Sequence, residues 1–127
     1  MVAITGLLSG IAVKNIDEAK EFYGTKLGLD VGSGGMGNAT IGLPQGGVIL
    51  LYPKEDHTPA TYTCLNLEVA SIDTAVAELE AQGITLIAYG MPHQDERQIA
   101  RGKAKGWGPD IAWFTDPSGN IISVLEN

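Results

Sequence analysis

Three polar side chains alternate along one stretch of the sequence and could take part in chemistry. Cys64, Asn66 and Glu68 share one face if this stretch is a β-strand, because successive side chains of a strand point to opposite faces. Glu68 could act as a general base if burial raised its pKa, and Cys64 could act as a nucleophile if a nearby positive charge ionised it. No basic residue is predicted beside Cys64, which favours a structural role as a small buried side chain. Glu68 lies near the end of the strand, which favours a solvated position at the rim.

Both histidines fall in polar segments between predicted elements. His57 lies in the stretch 53–61, and His93 lies in the turn 91–96. His93 together with Asp95 or Glu96 could bind a metal ion, but this spacing is not diagnostic of a metal site. We therefore expect two exposed loop histidines rather than metal ligands.

The segment 97–108 carries four of the eight positive charges of the chain, together with Trp107 and several glycines. One interpretation is a mobile lid that attracts an anionic or planar ligand, with Trp107 stacking on it. The other is a solvated basic loop that balances the acidic helices. The sequence leaves both open.

The composition is that of a globular protein and excludes several classes of partner. The chain has 127 residues, of which 44% are hydrophobic and 18% charged, and this length suits one compact domain. A net charge of −7 argues against binding to nucleic acid or to anionic membranes, and no apolar run approaches the ~20 residues of a membrane span. A single cysteine and the absence of a signal-peptide pattern predict a cytoplasmic protein.

The predicted elements occur twice in the same order. The sequence predicts strands at 4–13, 29–33, 38–43 and 47–52, then, after a linker at 54–61, at 62–69, 84–89 and in a closing hairpin at 113–126. One helix follows a cap at Asn15 or Asp17; a second follows Ser71, with the apolar stripe Ile72, Ala75, Val76 and Leu79. Positions 13, 16, 17 and 19 hold the same residue types as positions 69, 72, 73 and 75. This agreement predicts a duplicated β-α-β-β-β module, with module one at 1–53 and module two at 62–127, in a single domain 1–127.

Two motifs resemble a known superfamily. Residues 16–23, Ile-Asp-Glu-Ala-Lys-Glu-Phe-Tyr, followed by Leu-Gly-Leu at 27–29, are similar to the first-helix signature of the vicinal oxygen chelate superfamily. Residues 114–120, Phe-Thr-Asp-Pro-Ser-Gly-Asn, resemble its closing Asp-Pro-x-Gly-Asn hairpin. The superfamily includes glyoxalase I, extradiol dioxygenases, and fosfomycin- and bleomycin-resistance proteins. The resemblance implies an α+β fold of two tandem βαβββ modules, whose sheets form a cup-shaped half-barrel with the helices outside.

The resemblance also identifies where metal-dependent members place their ligands. In those members the first, fourth, fifth and eighth strands each supply one inward His, Gln or Glu. The corresponding positions here are Leu8, Leu50, Cys64 and Ser123. Two leucines, a thiol and a hydroxyl do not make a donor set for a divalent cation. We therefore expect no metal and no other cofactor, which disfavours the chemistry of glyoxalase I, the dioxygenases and the fosfomycin thiol transferases.

What the resemblance then implies is a cup that binds a small organic molecule. A mixture of apolar, aromatic and a few polar side chains is typical of such a pocket. The expected pocket residues are Leu8, Leu50, Tyr52, Tyr62, Cys64, Asn66, Glu68, Trp107, Trp113 and Ser123. Bleomycin-resistance proteins bind their ligand in grooves shared by two subunits, so a homodimer is implied as well.

Two other functions remain open at this point. One is a lyase or isomerase that uses Glu68 or Tyr52 as its acid or base. The other is a dimeric scaffold with a vestigial pocket.

Overall fold

The computed structural model describes residues 1–127. They form two compact units, Met1–Thr58 and Pro59–Asn127. The first unit contains β1 (Ser9–Val13), α1 (Ile16–Lys20), a π-helical segment (Glu21–Lys26), β2 (Asp30–Ser33), β3 (Ala39–Gly42) and β4 (Val48–Pro53). The second contains β5 (Thr63–Glu68), α2 (Ile72–Ala81), β6 (Ala100–Arg101), α3 (Gly102–Lys105), β7 (Asp110–Thr115) and β8 (Ile121–Glu126).

The two units repeat one sheet topology. The first sheet has the strand order β1-β4-β3-β2 and the second has the order β5-β8-β7-β6. In both sheets the first and last strands of the unit pair in parallel, and the remaining pairs are antiparallel. The predicted α+β fold of two tandem βαβββ modules is confirmed.

The helices begin where the sequence predicts and cover one face of each sheet. The side chain of Asn15 accepts a hydrogen bond from the backbone of Glu18, and Ser71 does the same for Thr74, so each satisfies a free N–H at a helix start. All four residues of the predicted apolar stripe on α2 are buried, and α2 contacts β7 and β8. The opposite face of each sheet carries no helix of its own unit, and we call it the open face. It bears Gly10 and Leu50 in the first sheet and Asn66, Trp113 and Ser123 in the second.

The first strand is shorter than predicted. The sequence suggested a strand over 4–13, but β1 begins at Ser9, and residues 1–8 are exposed and without regular structure. Val13 and Ile11 are buried because they pair with β4 and face the helix, whereas the apolar residues before Ser9 have no partner strand in the first unit. Leu8 therefore lies just before the sheet.

The predicted strand at 84–89 is wrong. This stretch forms no ladder and makes a single backbone hydrogen bond to β7, from Ile87 N–H to the carbonyl of Trp113 at 2.8 Å. The side chain of Gln94 takes the place of a partner strand, because its Nε2 donates to the carbonyl of Ile87 and its Oε1 accepts from Tyr89 N–H, both at 2.9 Å. The edge of β7 pairs instead with the two-residue β6, which the sequence did not predict.

The longest helix, α2, has ten residues, and no helix of the chain could cross a membrane.

Candidate functional site

A row of three side chains on the open face of the second sheet is the best-defined candidate site. Asn66 of β5 pairs with Ser123 of β8, which pairs in turn with Trp113 of β7. Paired residues project from the same face of a sheet, so this register brings three of the predicted pocket residues together.

The indole of Trp113 lies across β8. Its Nε1 donates a hydrogen bond of 3.1 Å to Oγ1 of Thr63, which belongs to β5 on the far side of β8. The indole thus passes over the middle strand, which accounts for the complete burial of Ser123 between its two neighbours. The ring of Tyr89 meets the indole edge-to-face, with 5.2 Å between centroids and 84° between planes. Trp113 is held at its edge and remains half-buried, so part of its surface is accessible.

Ser123 and Asn66 are joined by a short hydrogen bond. The hydroxyl of Ser123 donates to Oδ1 of Asn66 at 2.6 Å. This bond satisfies the donor of a fully buried serine, while Asn66 itself is exposed. The buried Ser123 therefore holds the exposed Asn66 side chain in a fixed position beside the indole, and we call this pair the polar edge.

A β-bulge in β5 changes which residues share the open face. Thr63 pairs with Ile121 and Leu65 pairs with Ile122, so Cys64 is an extra residue on its strand. The predicted alternation holds for Asn66 and Glu68, which pair with Ser123 and Leu125, and the bulge brings Thr63 onto the face of Asn66 as well. The sequence reasoning missed Thr63 and Tyr89, since neither the bulge nor the course of 84–89 leaves a signal in the pattern of residue types.

The thiol of Cys64 is unsuited to act as a nucleophile. It is half-buried and donates a hydrogen bond to the carbonyl of Ile121 at 3.4 Å. Burial raises its pKa, and the negative charge of Asp116 raises it further. The thiol thus stays protonated at neutral pH, as expected for a structural cysteine.

The remaining predicted pocket residues are placed differently. In the first unit, Leu50 pairs with Gly10 on the open face, and the ring of Tyr52 lies beside Gly10. Leu8, before β1, is 58% exposed. In the second unit, Tyr62 precedes β5 and is 69% exposed, and the exposed Glu68 accepts a hydrogen bond from the side chain of Asn127 at 2.8 Å.

The basic segment 97–108 binds to acidic side chains of its own unit. Arg97 and Arg101 both pair with Asp73 of α2, at 3.1 and 2.7 Å, and Lys103 pairs with Glu126 of β8. Arg101 also contacts Asp95 at 2.9 Å and Asp110 at 3.6 Å. These pairs agree with the interpretation of a basic loop that balances an acidic helix, and they occupy three of the four positive charges that a lid could use to attract an anion. Trp107 is 66% exposed, and its ring lies 5.1 Å from that of His93.

The histidines are more buried than predicted. Both are half-buried, and each has one ring nitrogen, Nε2 of His57 and Nδ1 of His93, that is buried without a hydrogen-bond partner.

We expect the Arg101 network to make stability depend on pH. The hydrogen bond from Arg101 lowers the pKa of Asp73. Burial alone would raise the pKa of Asp95, but hydrogen bonds from Ile99 N–H, the Arg101 side chain and Arg97 N–H outweigh it and lower that pKa. A carboxylate whose pKa is lowered by folding stabilises the fold above its unfolded pKa of about 4, and this contribution is lost as pH falls through the lower folded value.

Replacing Arg101 with leucine should therefore lower the free energy of unfolding at pH 7, and the difference from the unchanged protein should shrink as pH falls below about 4. Urea denaturation of both proteins between pH 7 and pH 2.5 measures this difference in the free energy of unfolding. Lys105→Leu, which removes a positive charge from the same segment, is the control and should show no such pH-dependent deficit. A deficit of equal size at every pH would mean that Arg101 stabilises the fold through packing rather than through these carboxylates.

A family model decides the relationship of the chain to known proteins. The model of the Glyoxalase/Bleomycin resistance protein/Dioxygenase superfamily matches residues 4–124. The chain belongs to this superfamily. A search of curated proteins finds no match.

Several solved structures have the same fold. The antibiotic-binding protein TnmS3 from Streptomyces sp. CB03234 is 22% identical with a TM-score of 0.68, covering 99% of this chain and 98% of its own. The fosfomycin-resistance protein FosX from Listeria monocytogenes is 15% identical with a TM-score of 0.69, covering 98% and 94%. A superfamily member from Sphaerobacter thermophilus is 22% identical with a TM-score of 0.67, covering 96% and 98%. At identities of 15% to 22%, this similarity shows a shared fold and nothing more.

Proposed function

We propose that this member of the glyoxalase/bleomycin-resistance superfamily binds a small organic molecule without a metal ion, on the open faces of its sheets. The observation that carries the proposal is the Trp113 indole, which the bond to Thr63 holds across β8 with the polar edge of Asn66 and Ser123 beside it. A broad aromatic surface with a few fixed polar groups is the usual lining of a small-molecule site. The names of two relatives of the same fold, an antibiotic-binding protein and a fosfomycin-resistance protein, support an organic ligand.

The donor chemistry of the four family metal positions supports metal independence. Leu8 and Leu50 offer only hydrocarbon. The Cys64 thiol is bonded to the carbonyl of Ile121, and the Ser123 hydroxyl is bonded to Asn66 in a fully buried position. No group of three His, Cys, Asp or Glu side chains is arranged to hold an ion. These residues do not fit a divalent cation, so we assign no step to one.

Binding rather than turnover is the function that these residues support best. Glu68 is exposed and bonded to Asn127, which is not the desolvated setting that tunes a carboxylate for general-base catalysis. Tyr52 lies beside Gly10 and is 36% exposed, which is likewise not a desolvated setting. We further propose a cytoplasmic homodimer, following the single cysteine and the family resemblance.

A thermal-shift screen of antibiotics and aromatic metabolites in the presence of a chelator tests the proposal. A ligand at 100 times its Kd adds about 2.7 kcal/mol to the free energy of unfolding, which raises the melting temperature measurably. We expect at least one stabilising compound whose effect survives the chelator and is lost in Trp113→Leu but kept in Trp107→Leu. Stabilisation that depends on an added divalent metal, or a screen without hits, would contradict it.

A further inference from the structure

The hydrogen bonds beside Trp113 leave two hydrogen-bond donors available to a ligand. Oδ1 of Asn66 accepts from the Ser123 hydroxyl at 2.6 Å, a distance typical of an O–H donor and short for an amide N–H donor, which fixes the orientation of the amide. The Nδ2 group of this exposed asparagine therefore keeps both of its hydrogens for another partner.

The hydroxyl of Thr63 also accepts a hydrogen bond and so has its own hydrogen left to donate. Its Oγ1 accepts from Nε1 of Trp113, so the hydroxyl hydrogen remains to be donated. Thr63 and Asn66 pair with Ile121 and Ser123, two positions apart on β8, so they are neighbours on one face. Two hydrogen-bond donors, Asn66 Nδ2 and the Thr63 hydroxyl, therefore lie along the side of the indole that is nearest to β5.

The charges around this face do not suit an anion. The Glu68 carboxylate belongs to the same strand, and the side chains of Arg97, Arg101 and Lys103 are paired with carboxylates of the second unit. The chain as a whole carries a net charge of −7. An uncharged oxygen acceptor on the ligand can accept hydrogen bonds from these donors without being repelled by the negative charge of the protein.

We propose that the site selects an uncharged, planar, conjugated carbonyl compound, which stacks on the Trp113 indole and accepts hydrogen bonds from Asn66 Nδ2 and the Thr63 hydroxyl. This inference rests on the proposed function, since it names the class of ligand for that site. A bare hydrocarbon of the same shape would leave the two donors without a partner, and a ligand carboxylate would meet uncompensated negative charge.

Isothermal titration with three bicyclic probes tests the selectivity. Coumarin is uncharged and carries carbonyl and ring oxygens, naphthalene has nearly the same shape without oxygen, and coumarin-3-carboxylate adds a negative charge. We expect coumarin to bind about tenfold more tightly than naphthalene, which corresponds to one net hydrogen bond. Coumarin-3-carboxylate should bind more weakly than coumarin.

The matched variant is Asn66→Asp, which keeps the shape and the acceptor for Ser123 but removes the donor. It should weaken coumarin binding about tenfold and leave naphthalene binding unchanged. Asn66→Ala, with circular dichroism to check folding, provides a second removal of the same donor. Trp113→Leu should weaken both uncharged probes, because it removes the stacking surface.

Each outcome separates this inference from the proposed function. Equal binding of coumarin and naphthalene, both sensitive to Trp113→Leu, would overturn the selection of a carbonyl while leaving a small-molecule site in place. Tighter binding of coumarin-3-carboxylate would overturn the choice of an uncharged ligand. If none of the probes bound, the inference would be overturned, and hits in the thermal-shift screen would show whether the proposed function survives it.

Discussion

Replacing Asp116 with alanine is expected to lower the free energy of unfolding by about 3 kcal/mol. This carboxylate is 4% exposed and accepts three hydrogen bonds at 2.9 Å, from Ser118 N–H, Asn120 N–H and Asn120 Nδ2. Alanine would leave these donors without their acceptor at sites where Ser118 and Asn120 are themselves buried. Unpaired buried donors cost more than the net worth of the bonds they lose, which is why we expect a large effect.

Urea denaturation at pH 7 measures this loss. Asp56→Ala is the matched control, since Asp56 is exposed and an ion pair on the surface, such as its pair with Lys54, contributes little to stability. A cost for Asp116→Ala no larger than that of the control would contradict the structural role we assign to the hairpin. This role also explains why the motif contains an aspartate: its carboxylate holds a turn in which Gly119 has a φ of 85°.

Replacing Gly102 with alanine is expected to cost about 2 kcal/mol and to loosen the segment that carries Trp107. A Cβ at this buried position would lie 2.5 Å from the carbonyl oxygen of Pro109 and 3.1 Å from that of Gly108. Both are backbone atoms, so the chain at 108–109 would have to move, and the bond from Trp107 N–H to the carbonyl of Gly102 would be disturbed.

Urea denaturation gives the free energy, and amide hydrogen exchange shows whether the loss is confined to residues 100–109. Gly6→Ala is the control, because a Cβ at Gly6 meets no atom within 4 Å, and it should change stability by less than about 0.5 kcal/mol. If both variants were equally stable, the close approach at Gly102 would not be a feature of the protein in solution.

The sequence predicted those parts of the fold that depend on local patterns. The stripe of α2 follows helical spacing, and all four of its residues are buried; the caps at Asn15 and Ser71 follow from residue type. The closing hairpin follows from its turn residues. Each of these features is decided within a few residues of the chain, which is why pattern alone suffices.

The wrong predictions concern features that depend on a particular side-chain contact or on the register between strands, neither of which residue types alone reveal. The stretch 84–89 has the composition of a strand, but the Gln94 side chain satisfies its backbone groups and replaces the ladder. The bulge at Cys64 arises from the register of β5 against β8, 57 residues further along the chain, as the Cys64–Ile121 hydrogen bond shows. The same distinction applies to the candidate site. The alternation of side chains along each strand was enough to predict that Asn66, Trp113 and Ser123 share a face, whereas the contact of Trp113 with Thr63 depends on the register between β5 and β8.

The most direct measurement for the proposed function follows the indole N–H signals of Trp113 and Trp107 by 15N-edited NMR while a compound from the screen is titrated in the presence of a chelator. Trp107→Phe assigns the two signals, since only the Trp113 signal then remains. We predict that the Trp113 signal shifts and saturates with the ligand, because its Nε1 is bonded to Thr63 at the site where we place the ligand. A Trp113 signal that does not move at saturating ligand, or that moves only after a divalent metal is restored, would contradict the account.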